Sequence, residues 1–203
     1  MEKKQVKNLL LILGSILILF IIFMAKKINF GNTMSKQTEE IVDYILNREY
    51  YEANLELKIT DQEKNIVNLY EIKQVAENEN YYQEVINKQN DEKIQMEYKD
   101  GNLKILNANL NLEKSYQNYH NKIGNNIFLT TFIQCYKQKA DSRYFEENNE
   151  IILETTEPTN KKVYNKKLYI DKRTQKPMKI IFKDSTGREV INIKYNDIDF
   201  KNK

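Results

Sequence analysis

Nucleophilic or metal chemistry in this chain would have to be built around one histidine, His120, and one cysteine, Cys135. Zinc sites of the His-rich or four-cysteine kind need more of either residue than the sequence holds. A Cys–His nucleophilic pair needs the two side chains in contact. Cys135 falls on the apolar face of a predicted helix and His120 in an Asn-rich stretch, which fits a buried thiol and a solvated imidazole. The acidic pairs Asp91-Glu92 and Glu146-Glu147 are adjacent, so on a strand their carboxylates point to opposite sides. That is unlike the facing carboxylates of a glycosidase. Gly14, Gly31, Gly101, Gly124 and Gly187 are too dispersed for a phosphate-cradling loop. The expectation is a protein that is not an enzyme, with no catalytic residue, no metal and no cofactor.

Binding chemistry has two candidate seats. The first is apolar. Met178, Ile180 and Phe182 alternate along one predicted strand, Leu168 and Ile170 along the one before it, and Phe128 and Phe132 share a helix face. These seven side chains either form an ordinary packed core or line a cavity for an acyl chain. The second is basic. Residues 28–157 carry 14 basic and 23 acidic side chains, a net charge of −9, whereas residues 158–203 carry 13 and 5, a net of +8. Either the late basic strands neutralise the early acidic ones, or Lys166, Lys167 and Arg173 belong to a basic face. Such a face would meet anionic lipid headgroups, wall polymer or an acidic partner. Nucleic acid is not expected, because no binding motif for it is recognisable.

The elements that must position these groups are mostly strands. A helix is predicted after Gly31, capped by Thr33 or Ser35, with Glu39 and Glu40 near its start and Ile41, Val42, Ile45 and Leu46 on one face. Period-two alternation then marks strands around residues 55–59, 66–75, 81–86, 94–98 and 103–106, with Asp100-Gly101 as a hairpin turn. Residues 107–126 read as a loop containing at most a short helix. A second helix is predicted over 127–139, followed by strands near Tyr144 and over 151–155, 163–170, 178–182 and 190–195. Asp184 to Gly187 supplies the last turn, and Pro177 stands where a strand can dispense with an N–H. The fold class expected is α+β: one large curved antiparallel sheet, or open barrel, covered by helices.

Where the domain works is set by the first 27 residues. Leu9 to Ala25 is an uncharged, mostly apolar run flanked by Lys3, Lys4 and Lys7 and by Lys26 and Lys27. As a helix it would span roughly 26 Å, near the short end of what crosses a bilayer. Bulky Phe23 stands where a signal peptidase requires a small side chain, so an uncleaved transmembrane anchor is expected rather than a removed signal. Residues 1–27 form that anchor and 28–203 one domain on the extracytoplasmic side of the cell membrane, held by a single pass.

The closing hairpins carry a resemblance. Leu168-x-Ile170-Asp171, Thr174-x-x-Pro177-x-Lys179-Ile180, Asp184-x-x-Gly187 and Ile193-x-Tyr195 resemble the last strands of LolA-like lipoprotein carriers and their RseB relatives. Tyr98-x-Asp100-Gly101-Asn102 resembles the mid-sheet hairpin of that superfamily. Within it the chain is most similar to the GerS-type germination lipoproteins of spore-forming clostridia. That resemblance implies a non-enzymatic partner of a cell-wall (cortex) amidase acting in sporulation and germination, and it admits a homodimer and the forespore membrane as its location. GerS-type proteins carry a lipobox cysteine, and none stands here, so the apolar run would replace the lipid. Two functions stand at this stage: an exported interaction module for a wall-processing enzyme, and a binding or carrier protein for a lipid ligand such as a lipoprotein acyl chain.

Overall fold

Wherever the sequence alternates with period two, the chain is a strand. The computed structural model describes residues 34–78, 80–119, 127–157 and 160–200. The chain divides into two compact units, Met1–Ser35 and Lys36–Lys203, and the fold is that of the second. It begins with helix α1 (Lys36–Leu46), whose Thr38, Ile41, Val42 and Ile45 are buried. A first run of strands follows: β1 (Tyr50–Asp61), β2 (Ile66–Glu77), β3 (Asn80–Asn87), β4 (Lys93–Lys99), β5 (Asn102–Asn107) and β6 (Leu112–Tyr116). Helix α2 (Leu129–Gln138) then leads into β7 (Arg143–Glu147), β8 (Glu150–Thr156), β9 (Asn165–Asp171), β10 (Lys176–Lys183) and β11 (Glu189–Asp199).

All eleven strands form one sheet in the order β6-β5-β4-β3-β2-β1-β11-β10-β9-β8-β7. Each half is an antiparallel meander, and the halves join where the last strand pairs with the first, Leu57 opposite Ile193. The sheet is not closed: β6 and β7 are its edges, and the stretch containing α2 connects them. The open antiparallel sheet agrees with the expected class. Among the described residues no helix is long and apolar enough to cross a membrane. The Leu9–Ala25 run expected to do so lies outside the described residues, as does His120.

Two local results differ from expectation. Residues 112–116 form edge strand β6 inside the stretch read as a loop. Along β10, Pro177 pairs with Ile170 and Lys179 with Tyr169, so Met178 is an extra, bulged residue. A bulge lets one strand absorb a residue that its neighbour lacks. Pro177 therefore takes the buried place opposite Ile170 that the alternation assigns to Met178, which is only half-buried.

The core lies between the sheet and α2. Phe128, Leu129, Phe132 and Ile133 of the helical stretch are buried together with Leu55, Leu153, Leu168, Ile180, Phe182 and Ile193 of the sheet. Phe128 sits 4.8 Å from the Tyr81 ring. Burial of each such side chain contributes about 1.5–3 kcal/mol.

Candidate functional site

The helix-covered face and the opposite face of the sheet offer different chemistry. On the first, Phe128, Phe132, Leu168, Ile170, Ile180 and Phe182 are all buried, and none lines either of the two depressions described below. The structure gathers these six in a packed layer, with Met178 at its margin. Toward β3, β4 and β5 the same face is less covered, and Val85, Ile94, Met96, Leu103 and Ile105 are half-buried there. Gln83 is buried among them with its Oε1 unpartnered, its amide donating to Met96 Sδ at 3.5 Å.

A polar clamp fixes where α2 starts. Phe128, the N-cap residue, makes no side-chain capping bond. The Leu129 N–H instead donates to Tyr51 Oη at 3.0 Å, and that hydroxyl donates to Gln74 Oε1 at 3.1 Å. Burial foremost, with Tyr195 nearby, holds the Tyr51 phenol well above its ordinary range, so it remains a donor. Neither Tyr51 nor Gln74 stands out in the sequence, because each occupies an inward position of a strand like any core residue.

Cys135 is half-exposed, and the ammonium of Lys166 reaches its Sγ at 3.7 Å. Lys166 itself is 4 % exposed and lies 3.9 Å from Glu157. It therefore points under α2, not into solvent. Lys167, one residue on, is on the opposite face beside Glu154 at 3.5 Å, and Arg173 is exposed in the β9–β10 turn. The structure does not bring the three basic residues expected to form one face together.

That opposite face, free of both described helices, carries side chains in two cross-strand rows. One runs Phe145, Ile152, Tyr169, Lys179, Lys194, Glu56, Glu71 across β7, β8, β9, β10, β11, β1 and β2. The row beside it runs Arg143, Glu154, Lys167, Ile181, Asn192, Lys58, Leu69. Ile152 is 5 % and Ile181 9 % exposed, although neither described helix packs on them. Their cover is the aromatic and cationic side chains themselves: Lys179 Nζ is 4.4 Å from the Tyr169 ring centroid and Lys167 Nζ 5.5 Å from that of Phe145. Glu154 is neutralised by Arg143 at 3.6 Å and Lys167, and accepts a hydrogen bond from Asn165.

On the β1–β2 side the charges are paired, with Lys88 bridging Glu71 at 2.8 Å and Glu56 at 3.6 Å. The hydrogen bond to Glu71 raises the Lys88 ammonium above its usual range. A depression of about 210 Å³ opens between Lys58, Lys88, Lys194, Asn192 and Leu69. A second, of about 370 Å³, lies beside it between Lys73, Glu71, Glu84, Ile86 and Asn196. Among the described residues no three His, Cys, Asp or Glu side chains gather as a metal site requires. The arrangement can bind an anionic, partly apolar surface.

The fold is one open antiparallel sheet with helical cover on one side. The model of the YdcC-like sporulation protein family matches residues 7–203, and the chain belongs to that family. Its fold is similar to that of a chain in the structure of the CwlD amidase from Clostridioides difficile in complex with the GerS lipoprotein. The two superpose with a TM-score of 0.51 at 21% identity, over 84% of this chain and 99% of that one. It is similar also to an uncharacterized conserved protein from Thermus thermophilus, with a TM-score of 0.51 at 13% identity over 83% of this chain and 90% of the other. A LolA superfamily protein from Nitrosomonas europaea matches over 81% of this chain and 94% of its own, at 12% identity and a TM-score of 0.38. No curated protein matches the sequence.

Proposed function

We propose that the protein is a membrane-anchored, non-enzymatic partner of an amidase that modifies spore-cortex peptidoglycan, and that it activates that amidase. One observation carries the reading: a chain of the YdcC-like sporulation family has the fold of a chain taken, over 99% of its length, from a complex of an amidase with a lipoprotein. The apolar Leu9–Ala25 run supports anchoring in the cell membrane or forespore membrane with the sheet domain outside the cytoplasm. The aromatic and basic strip across β7 to β11 supports a role in holding another protein.

Reconstitution tests it. The amidase from the same organism is incubated with cortex peptidoglycan, with and without the full-length chain in detergent, and cleaved amide ends are counted. The expected result is little release by either protein alone and strong release by the two together. Release by this chain alone would make it an enzyme, and unchanged amidase activity would remove the activator role.

A second reading, binding of a lipid or other apolar ligand, draws on the half-buried Val85, Ile94, Met96, Leu103 and Ile105 of the helix-covered face. Native mass spectrometry of the full-length chain separates the two. A stoichiometric lipid that survives a detergent wash supports the second reading, and a ligand-free chain removes it.

A further inference from the structure

On the helix-free face, Lys179 and Lys194 stand directly opposite one another on neighbouring strands. Like charges in register across an antiparallel pair repel and destabilise the pair. On the same face Lys88 is answered by Glu71 and Glu56, Lys93 by Glu84 and Lys167 by Glu154, while Lys73 and Lys99 make no ion pair among the described residues. Lys179, Lys194 and the neighbouring Lys58 have no carboxylate within ion-pair distance among the described residues. Lys179 is held over Tyr169 instead.

These unanswered cations border two features that a partner could use. On one side is the strip of Tyr169, Ile181 and Phe145. On the other is the depression walled by Lys58, Lys88 and Lys194, with Leu69 beside them and Glu56, already paired with Lys88, in the same wall. Aromatic and aliphatic groups next to unpaired cations suit a protein surface that supplies both carboxylates and apolar side chains.

We infer that the helix-free face of β9, β10, β11 and β1 is the docking surface for an acidic patch of the partner protein, with carboxylates seated against Lys179, Lys194 and Lys58. The inference rests on the reading of the protein as an amidase partner, and names the surface that reading leaves open. Docking would relieve the repulsion between Lys179 and Lys194, the latter of which has Glu56 in register on its other side.

The test uses the full-length chain in detergent and the purified amidase of the same organism, with affinity and melting temperature read on each variant. Lys194→Glu places an opposite charge in register with Lys179 on β10 and a like charge in register with Glu56 on β1. It should weaken amidase binding by about tenfold or more, with the melting temperature showing that the variant is folded. Lys58→Glu should weaken binding comparably. Lys99→Glu makes the same change of charge at the end of β4, where Lys99 is exposed in the other half of the sheet, and should leave binding unchanged. Wild-type binding should weaken as salt is raised.

Wild-type binding with equal affinity in Lys194→Glu and Lys58→Glu would overturn this surface and leave the amidase-partner reading standing. Failure of the wild-type chain to bind the amidase at all would overturn both. Capture of the wild-type chain by phosphatidylglycerol vesicles but not by the amidase, lost in the same two variants, would replace a protein partner with the membrane surface.

Discussion

Phe132 and Phe182 are each all but inaccessible to solvent, at 1 % and 0 % exposed, in the layer between α2 and the sheet. Truncating either to Ala removes that burial and leaves a cavity, and should lower stability by about 3–5 kcal/mol. Chemical denaturation measures it; a loss under about 1 kcal/mol would show that the side chain borders empty space. Asp184 is read at the same scale. Its carboxylate takes the Thr186 hydroxyl and N–H, the Arg188 N–H and the Arg188 guanidinium. Those bonds, the Thr186 hydroxyl foremost, hold it down at about 2 against an ordinary value of 3.8, opposing the burial that would raise it. A depressed carboxylate stabilises the fold above its unfolded value, and the stabilisation disappears as pH falls from about 4 toward 2. The melting-temperature gap between wild type and Asp184→Asn should therefore be constant near neutrality and shrink across that acidic window. An asparagine-rich composition carries no chemistry by itself, yet five of the eight described non-glycine residues at positive φ are asparagines: Asn65, Asn78, Asn111, Asn118 and Asn148. In a chain with five glycines, Asn supplies the left-handed turn positions, because its short polar side chain tolerates them. The Asp100-Gly101 turn was legible for the same reason, with φ of 49° and 76° as a tight hairpin requires.

At the scale of elements, what was readable depended on whether an element is buried on one face. β1 alternates buried and exposed from Tyr51 to Lys58 and could be read directly. β6 is exposed along its whole length, so no apolar period marks it, and it is a strand only because β5 offers it a ladder. The pairing of Lys179 with Lys194 was hidden by a bulge. The hairpin closes with Lys183 opposite Glu189, which carried straight on would set Lys179 against Ile193. The irregularity between Phe182 and Lys183 moves every later pair by one residue. Helix α2 had a readable apolar face but an unreadable start, since its capping group comes from Tyr51 on a distant strand. Tyr51→Phe removes that acceptor and leaves the Leu129 N–H and Gln74 Oε1 buried without it. The cost should be about 1–3 kcal/mol, with faster hydrogen exchange confined to the first turn of α2. Uniform exchange throughout the helix would deny the hydroxyl its capping role.

For the whole molecule, the charge asymmetry of the sequence resolves into two behaviours on one sheet. In the acidic first half Lys88, Lys93 and Lys104 pair with Glu71, Glu84 and Glu113, while Lys58 makes no ion pair among the described residues. In the basic second half Lys166 turns inward and Lys167 pairs, while Lys179 and Lys194 stand in register with each other and make no ion pair, with Glu56 in register on the far side of Lys194. Sequence could give the sign of that half but not its facing, because facing follows from register and from bulges at Met178 and before Lys183. The open sheet of eleven strands has its edges at β6 and β7, and the chain belongs to a sporulation family; the role proposed for it is to hold an amidase. The most direct test of that role is the cortex itself. Muropeptides from spores of a strain lacking this chain are compared by mass spectrometry with those from the parent and from a strain lacking the amidase. Loss of the amidase-dependent cortex modification, matching the amidase deletion and restored by the full-length chain, is the predicted result; a cortex modified as in the parent would contradict it.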